Sequence, residues 1–355
     1  MEDKILEEDV LEKDLPELLE EDMSSDTDKP LDKNIKLMSP GRMVVRRFLR
    51  SKLSIAGLVM LIALFTFCWL GPVFYNKWHE DVPDRTGANA YEEYEITDED
   101  GNTFYQMIIT GKPINSLEKP SANHILGTDK TGLDVFVRLM YGGRRSLIIS
   151  FLAVFLTSAL GIIMGGISGF YGGVVDNIVM RICDILMCLP TLPLMLIIGT
   201  VLDANGVSQV YYIYLLMGVL SLFSWPGMAR LVRGQILFLR EQEYMVAAEA
   251  MGFSTPRKIF KHLIPNILPQ ILVSMTLSLG SMILYESTLS YLNLGVPAPK
   301  ASWGNMVTII SEDQNVLKNY FNVWGPPGIC IIIAVLGFNF IGDGLRDALD
   351  PKQRR

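Results

Sequence analysis

The sequence predicts an all-α membrane protein of six transmembrane helices with a small extracytoplasmic insertion. Three observations carry that prediction. Half of the 355 residues are hydrophobic, only 19% are charged and the mean hydropathy is positive, a mixture too apolar for an ordinary soluble globule. Apolar runs of about 20 residues, enough to cross about 30 Å of hydrocarbon, begin near Leu53, Ser146, Val174, Val210, Ile267 and Pro327. Lysines and arginines gather beside alternate ends of those runs, the asymmetry that orients a membrane chain.

Taken in order, residues 1–40 form an acidic tail that gives the formal charge of -7 its sign. The tail is expected to be a solvated, disordered cytoplasmic extension, with an amphipathic helix through Ile5, Leu6, Leu11, Leu15, Leu18 and Leu19 as the other reading. No positive region followed by an apolar one opens the chain, so the first span is expected to stay as the insertion signal. Residues 41–73 hold a basic collar and that span, closed by an aromatic belt of Trp69, Tyr75 and Trp78. Residues 74–141 are assigned to the outer side. Their middle alternates polar with aromatic or β-branched residues around Asp100-Gly101, which predicts a hairpin too short to build a core of its own. Residues 142–345 form a five-helix core with a cytoplasmic loop at 230–266, and residues 346–355 a cytoplasmic end.

The basic clusters at Lys33–Lys52, Arg230–Lys261 and Arg346–Arg355 all fall on one side when six spans are threaded, which places both termini in the cytoplasm. Arg138, Arg144 and Arg145 dissent. They either lie at headgroup level or mark a misplaced boundary. Within the spans, Gly161 and Gly165 share one helix face and predict close helix packing. Pro190 and Pro193 break the third span, which can still cross the bilayer with a kink. Arg181 and Asp184, three residues apart on that span, can pair as a structural bridge or contact substrate. Glu286 has no evident local partner in the fifth span and points either to a water-filled pathway or to a partner subunit. Ser278, Ser281, Ser287, Thr288 and Ser290 are compatible with a polar lining or with bonding their own backbone. Cys68, Cys183, Cys188 and Cys330 read as free thiols in or beside spans. None stands at a metal-binding spacing from His79, His124 or His262, so no metal site is expected.

The most informative stretch is YMVAAEAMGFSTPRKIFKHLIPN, beginning at Tyr244. Strong helix formers run to Met251, Gly252 interrupts them, and Ser254-Thr255-Pro256 restarts a helix before Pro265 and Pro269 lead into the fifth span. Two short helices hinged at Gly252 are expected. Ala247, Ala248 and Ala250 let a partner surface approach, and Met251 and Phe253 supply apolar anchors.

This stretch resembles the cytoplasmic signature of permease subunits in binding-protein-dependent ABC importers: Glu-Ala-Ala, three residues, Gly, nine residues, Ile-x-Leu-Pro. Ala247, Ala248, Gly252 and Pro265 match at that spacing, while Val246, His262 and Ile264 depart from it. RRFLRSKLSIAG, HILGTDKTGLDVFVRLMYGGRRSL, ESTLSYLNLGVPAPKASWGNMV and FNFIGDGLRDALDPK extend the likeness to the OppC/DppC-type permease of oligopeptide, dipeptide and nickel importers, with the usual GRD here GLD at Gly132–Asp134. The resemblance implies a type I importer permease in a prokaryotic inner or plasma membrane, paired with a sister permease. It also implies two ABC ATPase subunits and an extracytoplasmic solute-binding protein. Ala247, Ala248, Gly252, Phe253 and Pro265 would then couple to an ATPase, and ATP and magnesium would be bound by those partners, this chain carrying no cofactor. Peptide is the leading substrate class, with nickel or another small solute as the alternative.

The chain shows no GxxxxGK[ST] phosphate loop and no nucleophile beside a base, so it is read as a transporter subunit and not as an enzyme. It shows no basic nucleic-acid motif, and membrane lipid is its expected solvent. A secondary transporter is the remaining rival, disfavoured by six spans without an internal repeat.

Overall fold

The computed structural model describes residues 40–85, 90–97, 103–111 and 114–349. The acidic tail, the Asp100-Gly101 turn and the last residues of the chain lie outside them. The chain divides into two units after Met43. The described part of the first is the opening of helix α1 (Pro40–Phe48), and the elements below belong to the second.

Helix α2 (Lys52–Phe74) starts where the Ser51 hydroxyl accepts the Ser54 N–H at 3.4 Å. Its 23 residues, at about 1.5 Å each, give a rod just longer than the hydrocarbon layer. Strands β1 (Ala90–Thr97) and β2 (Thr103–Gly111) pair antiparallel, Thr97 opposite Thr103, so the expected hairpin is present. Helix α3 (Val135–Tyr171) follows, and its 37 residues make it far longer than a bilayer requires. It begins about three turns before Ser146, where the apolar run opens, because Asp134 caps it by accepting the Val137 N–H at 2.8 Å.

The third expected span is two helices, α4 (Gly173–Cys188) and α5 (Thr191–Ala204), bent by 82°. Leu189, the residue before a proline, takes an extended conformation, and Pro190 begins the new helix. Helices α6 (Gln209–Arg240), α7 (Glu243–Ala250) and α8 (Ile264–Tyr291) come next, with a single helical turn at Thr255–Arg257 and a π-helical turn at Lys258–Leu263 between α7 and α8. A capping box of Ser302 and Asn305 opens α9 (Trp303–Glu312), and α10 (Gln314–Asn319) and α11 (Phe321–Leu349) close the described chain. Among the described residues, five helices are each long and apolar enough to cross a membrane, and the bent α4–α5 pair, counted as one span, makes the six that the sequence predicts.

The most extensive packing joins α3 to α6. The glycine face of α3 explains it: a Cβ on Gly165 would lie 2.9 Å from the Ala229 Cα, and one on Gly161 would strike the Met228 side chain at 2.5 Å. The main core runs through α2, α3, α6, α8, α9 and α11. A second cluster of Met228, Val232, Ile236, Met245, Leu263, Ile267 and Ile271 fastens α7 to the end of the bundle where α3 finishes.

Candidate coupling site and the buried polar clusters

Helix α7 is short enough that its two sides can be read residue by residue. Met245 and Ala248, one turn apart, are buried, Met245 within the second core cluster, whereas Tyr244, Val246, Ala247, Ala250 and Met251 are exposed. Val246 and Met251 are 60% and 65% exposed, an apolar pair turned away from the chain's own core.

The helix stops at Gly252 for a stereochemical reason. Gly252 sits at φ +72°, its N–H donates to the Glu249 carbonyl at 2.9 Å, and the Phe253 N–H donates to the Ala248 carbonyl at 3.1 Å. These two bonds form a Schellman closure, which needs a left-handed residue where Gly252 stands. No atom lies within 4 Å of the position a Cβ would take there, so conformation and not space selects glycine.

Four expectations change here. Ala248 faces the core and not a partner. Phe253 is half-buried and folded back on its own loop, its ring stacked 5.8 Å from that of His262 and 4.3 Å from the Arg257 guanidinium carbon. The expected second short helix is likewise not separate: the π-helical turn runs from Lys258 directly into α8, with Pro265 exposed in the first turn. The loop is also shorter than 230–266, because α6 continues to Arg240.

Glu286 is fully buried and well partnered, which corrects the reading of an unpaired carboxylate. The hydroxyls of Ser146 on α3 and Ser290 one turn along α8 each donate to it at 2.9 Å. Ser146 in turn accepts the Trp303 N–H at 3.1 Å, so one carboxylate ties α3, α8 and the start of α9 together. Ser278, Ser287 and Thr288 bond carbonyls one turn back on their own helix.

Arg181 and Asp184 come together, but only at 3.9 Å, and the closer partner of Asp184 is Arg230 on α6 at 2.6 Å. A tighter pair was missed by sequence reasoning. Arg233 on α6 grips both oxygens of Asp176 on α4 at 2.6 and 2.5 Å, while the Ser168 hydroxyl donates to the same carboxylate. Their separation of 57 positions along the chain hid the pair.

At the other end, where α3 begins, the three dissenting arginines find carbonyls and carboxylates. Arg138 donates to the Pro299 carbonyl at 2.7 Å and lies 3.3 Å from Asp129. Arg145 pairs with Glu80 and donates to the Ala301 carbonyl at 2.9 Å. Arg144 donates to the Cys68 carbonyl at 3.3 Å, the group left without a helical donor because Pro72, four residues on, has no N–H. These contacts give all three a partner within the first three turns of α3, ahead of its apolar run.

The loop leading into α3 is built around His124, which is 1% exposed. Its Nδ1 lies 2.7 Å from Asp134 and its Nε2 3.2 Å from Asp84. Trp78 stacks on the ring at 4.3 Å, and the Tyr75 hydroxyl reaches Asp134 at 3.4 Å. Burial and then the Asp134 charge raise the Tyr75 phenol above its ordinary value. Across this end, the Asn315 N–H and then the Lys130 ammonium hold the Asp313 carboxyl below the usual range. Gly127 and Gly132, at φ +79° and +73°, shape the same loop. The HILGTDKTGLD stretch is therefore a folded cap on α3.

The described fold is that of a multi-pass membrane protein presenting one short docked helix at one end. Residues 158–355 match the family described as binding-protein-dependent transport system inner membrane component, and residues 39–90 match the N-terminal TM domain of oligopeptide transport permease C. The chain belongs to this family of transport-system membrane components. It is 37% identical over 321 residues to the oligopeptide transport system permease protein OppC of Bacillus subtilis, covering 90% of this chain and 92% of that one. It is 36% identical to the dipeptide transport system permease protein DppC of the same organism, over 87% of this chain and 85% of the relative. Against OppC of Haemophilus influenzae the identity is 33%, over 87% and 88%. A chain of the inward-facing MetNI methionine ABC transporter overlaps it with a TM-score of 0.46 and 19% identity over 60% of this chain and 96% of that one, too distant to carry an argument.

Proposed function

We propose that this chain is a permease subunit of an ATP-driven peptide importer in a prokaryotic inner membrane. It forms the translocation pathway with a sister permease, receives peptide from an extracytoplasmic solute-binding protein, and is driven by two ABC ATPase subunits that bind ATP and magnesium. The oligopeptide and dipeptide permeases that it matches over most of their length support the substrate class.

The single observation that carries the mechanism is α7. A rigid helix is fixed on one side by Met245 and Ala248 and offers Tyr244, Val246, Ala247 and Met251 on the other, which is the form of a helix seated in a partner's groove. Because the same core cluster holds α6, α7 and α8, a push on α7 is delivered to two spans together. Rocking of packed helices is an established kind of switching motion. In this reading α7 and both termini lie in the cytoplasm, Gly252 and Pro265 set the geometry of the coupling loop, and Phe253 braces it.

Cysteine crosslinking tests the docking. In the assembled complex, Val246→Cys and Met251→Cys should each join a cysteine in the ATPase groove, whereas Ala248→Cys should stay unreactive because its side chain is buried. Failure at both exposed positions would overturn the docking surface. The peptide class is tested separately, by mass spectrometry of the ligand that co-purifies with the binding protein.

A further inference from the structure

A cavity of about 290 Å³ lies between α3, α6 and α8, away from the coupling helix. Hydroxyls dominate its wall: Thr157 and Ser158 from α3, Ser224 from α6, and Ser274, Ser278 and Ser281 from α8. Ser274, Ser278, Ser281 and Tyr285 recur at helical spacing, which sets them on one face of α8 as a polar ladder about 16 Å long. Ser274 stands about 15 Å into α8, and Thr157 about as far into the apolar run of α3, a depth well inside the hydrocarbon that such helices cross.

The hydroxyls of α8 divide by where they stand. Away from the cavity, those of Thr276, Ser287 and Thr288 donate to carbonyls one turn back on their own helix. On the cavity Ser278 does the same at 2.8 Å, but the Ser274 and Ser281 hydroxyls bond no described group. Across from them Thr157 is 8% exposed, and its hydroxyl has no hydrogen-bond partner. The hydroxyl of Ser158, a residue 2% exposed, has none among the described residues either. Buried hydroxyls left unpaired are costly and native folds keep few of them. Their concentration around one cavity points to a ligand that brings the missing partners.

The lining decides what that ligand is. Among the described residues no charged side chain lines the cavity, which suits neither a bare ion nor a strongly charged solute. A hydroxyl both donates and accepts, so a row of them can pair with the N–H and the C=O of peptide bonds alike. Equivalent groups on an extended peptide repeat at about 6.6 Å, and Ser274 and Ser278 are about 6 Å apart along α8. Met228 and Met282 complete the wall with flexible thioethers that adapt to side chains of different shape. The volume is at the lower end of small-ligand pockets, enough for a short stretch of chain.

We infer that this cavity is a subsite of the translocation pathway that holds a short stretch of peptide by its backbone, an inference that rests on the peptide-importer reading above. Neutral hydroxyls take the amides and no charge sorts the side chains, so passage is indifferent to peptide sequence. Gly227 and Ser281, both exposed, mark the side on which the cavity opens. Sequence reasoning left Ser278 and Ser281 between two roles because Thr157 and Ser224, which share the cavity with them, come from other helices.

The test uses the complete transporter in proteoliposomes, importing Ala-Ala-Ala, Ala-Lys-Ala and Ala-Glu-Ala. One chain carrying Thr157→Val, Ser158→Ala and Ser281→Ala loses no hydrogen bond of the fold, so its thermal midpoint should not fall. Its uptake per ATP should drop about tenfold, and equally for the three tripeptides. Gly227→Leu fills the cavity from a position with no atom within 4 Å of the new Cβ, and should block uptake to the same degree. If Gly227→Leu fails to assemble, the hydroxyl variant, which adds no bulk, decides alone. Thr276→Val, away from the cavity, should import as the unmodified chain does. Uptake by the hydroxyl variant equal to that of the unmodified complex, or a loss confined to one of the three tripeptides, would overturn the subsite alone. An unmodified complex that imports none of them would overturn the peptide reading and the subsite with it.

Discussion

Replacing Gly252 tests coupling with little else disturbed. The residue sits at φ +72° with open space where a Cβ would go, so a substitution there meets no steric clash and acts through the backbone. A residue with a Cβ loses about 1–2 kcal/mol in the left-handed conformation, asparagine less and a β-branched residue most. The Schellman closure that ends α7 would therefore be depopulated about 5- to 30-fold relative to alternatives by Gly252→Val, and little by Gly252→Asn. Met245 and Ala248 would keep α7 packed, so insertion and assembly should survive. The assay is peptide uptake and ATP hydrolysis by the complete transporter in proteoliposomes. Uptake per ATP should fall about tenfold with valine, less with alanine and hardly at all with asparagine. Gly234→Ala is the control, since that glycine also has open space but lies within helix α6. Valine at 252 transporting like glycine, or asparagine failing as badly as valine, would refute the conformational argument.

The glycine face of α3 gives a paired comparison. Gly165→Ala would force α3 from the backbone of α6 at Ala229 and should destabilise the chain by about 1–3 kcal/mol, whereas at Gly166 the nearest atom is 3.9 Å from the new Cβ and the same change should be neutral. Thermal unfolding in detergent reads the difference, and equal midpoints would contradict the packing. At Glu286, leucine would leave the hydroxyls of Ser146 and Ser290 without their acceptor, at about 2–4 kcal/mol, while glutamine keeps an acceptor oxygen and should lose less than half of that. A leucine variant as stable as the glutamine one would show that the carboxylate is not the tie between α3, α8 and α9.

Legibility followed sequence distance. Apolar length gave the spans, and the residues 246–252 gave the turn after α7, because both are signals carried by neighbouring residues. The pattern of α7 did not reveal which face turns inward, since that depends on the cluster that Met245 joins with Met228, Leu263 and Ile267 from elsewhere in the chain. Proline marked the break between α4 and α5 but not its 82° angle. The arginines before Ser146 looked out of place only because the sequence does not show that Asp134 starts the helix early.

Charge pairing was the least legible feature. Arg181 and Asp184 were visible as a pair because they are three apart, yet the structure gives Asp184 its closest cation from α6. The same logic governs Asp176 and Arg233, Arg145 and Glu80, and the carboxylates around His124. In a chain this apolar, a charge retained near the ends of spans has to be matched by a group brought from elsewhere in the fold, since leaving it alone in hydrocarbon costs several kcal/mol. Glu286 follows the rule with hydroxyls in place of a cation, which is why its sequence neighbours made it look unpaired and its true partners include one 140 residues away.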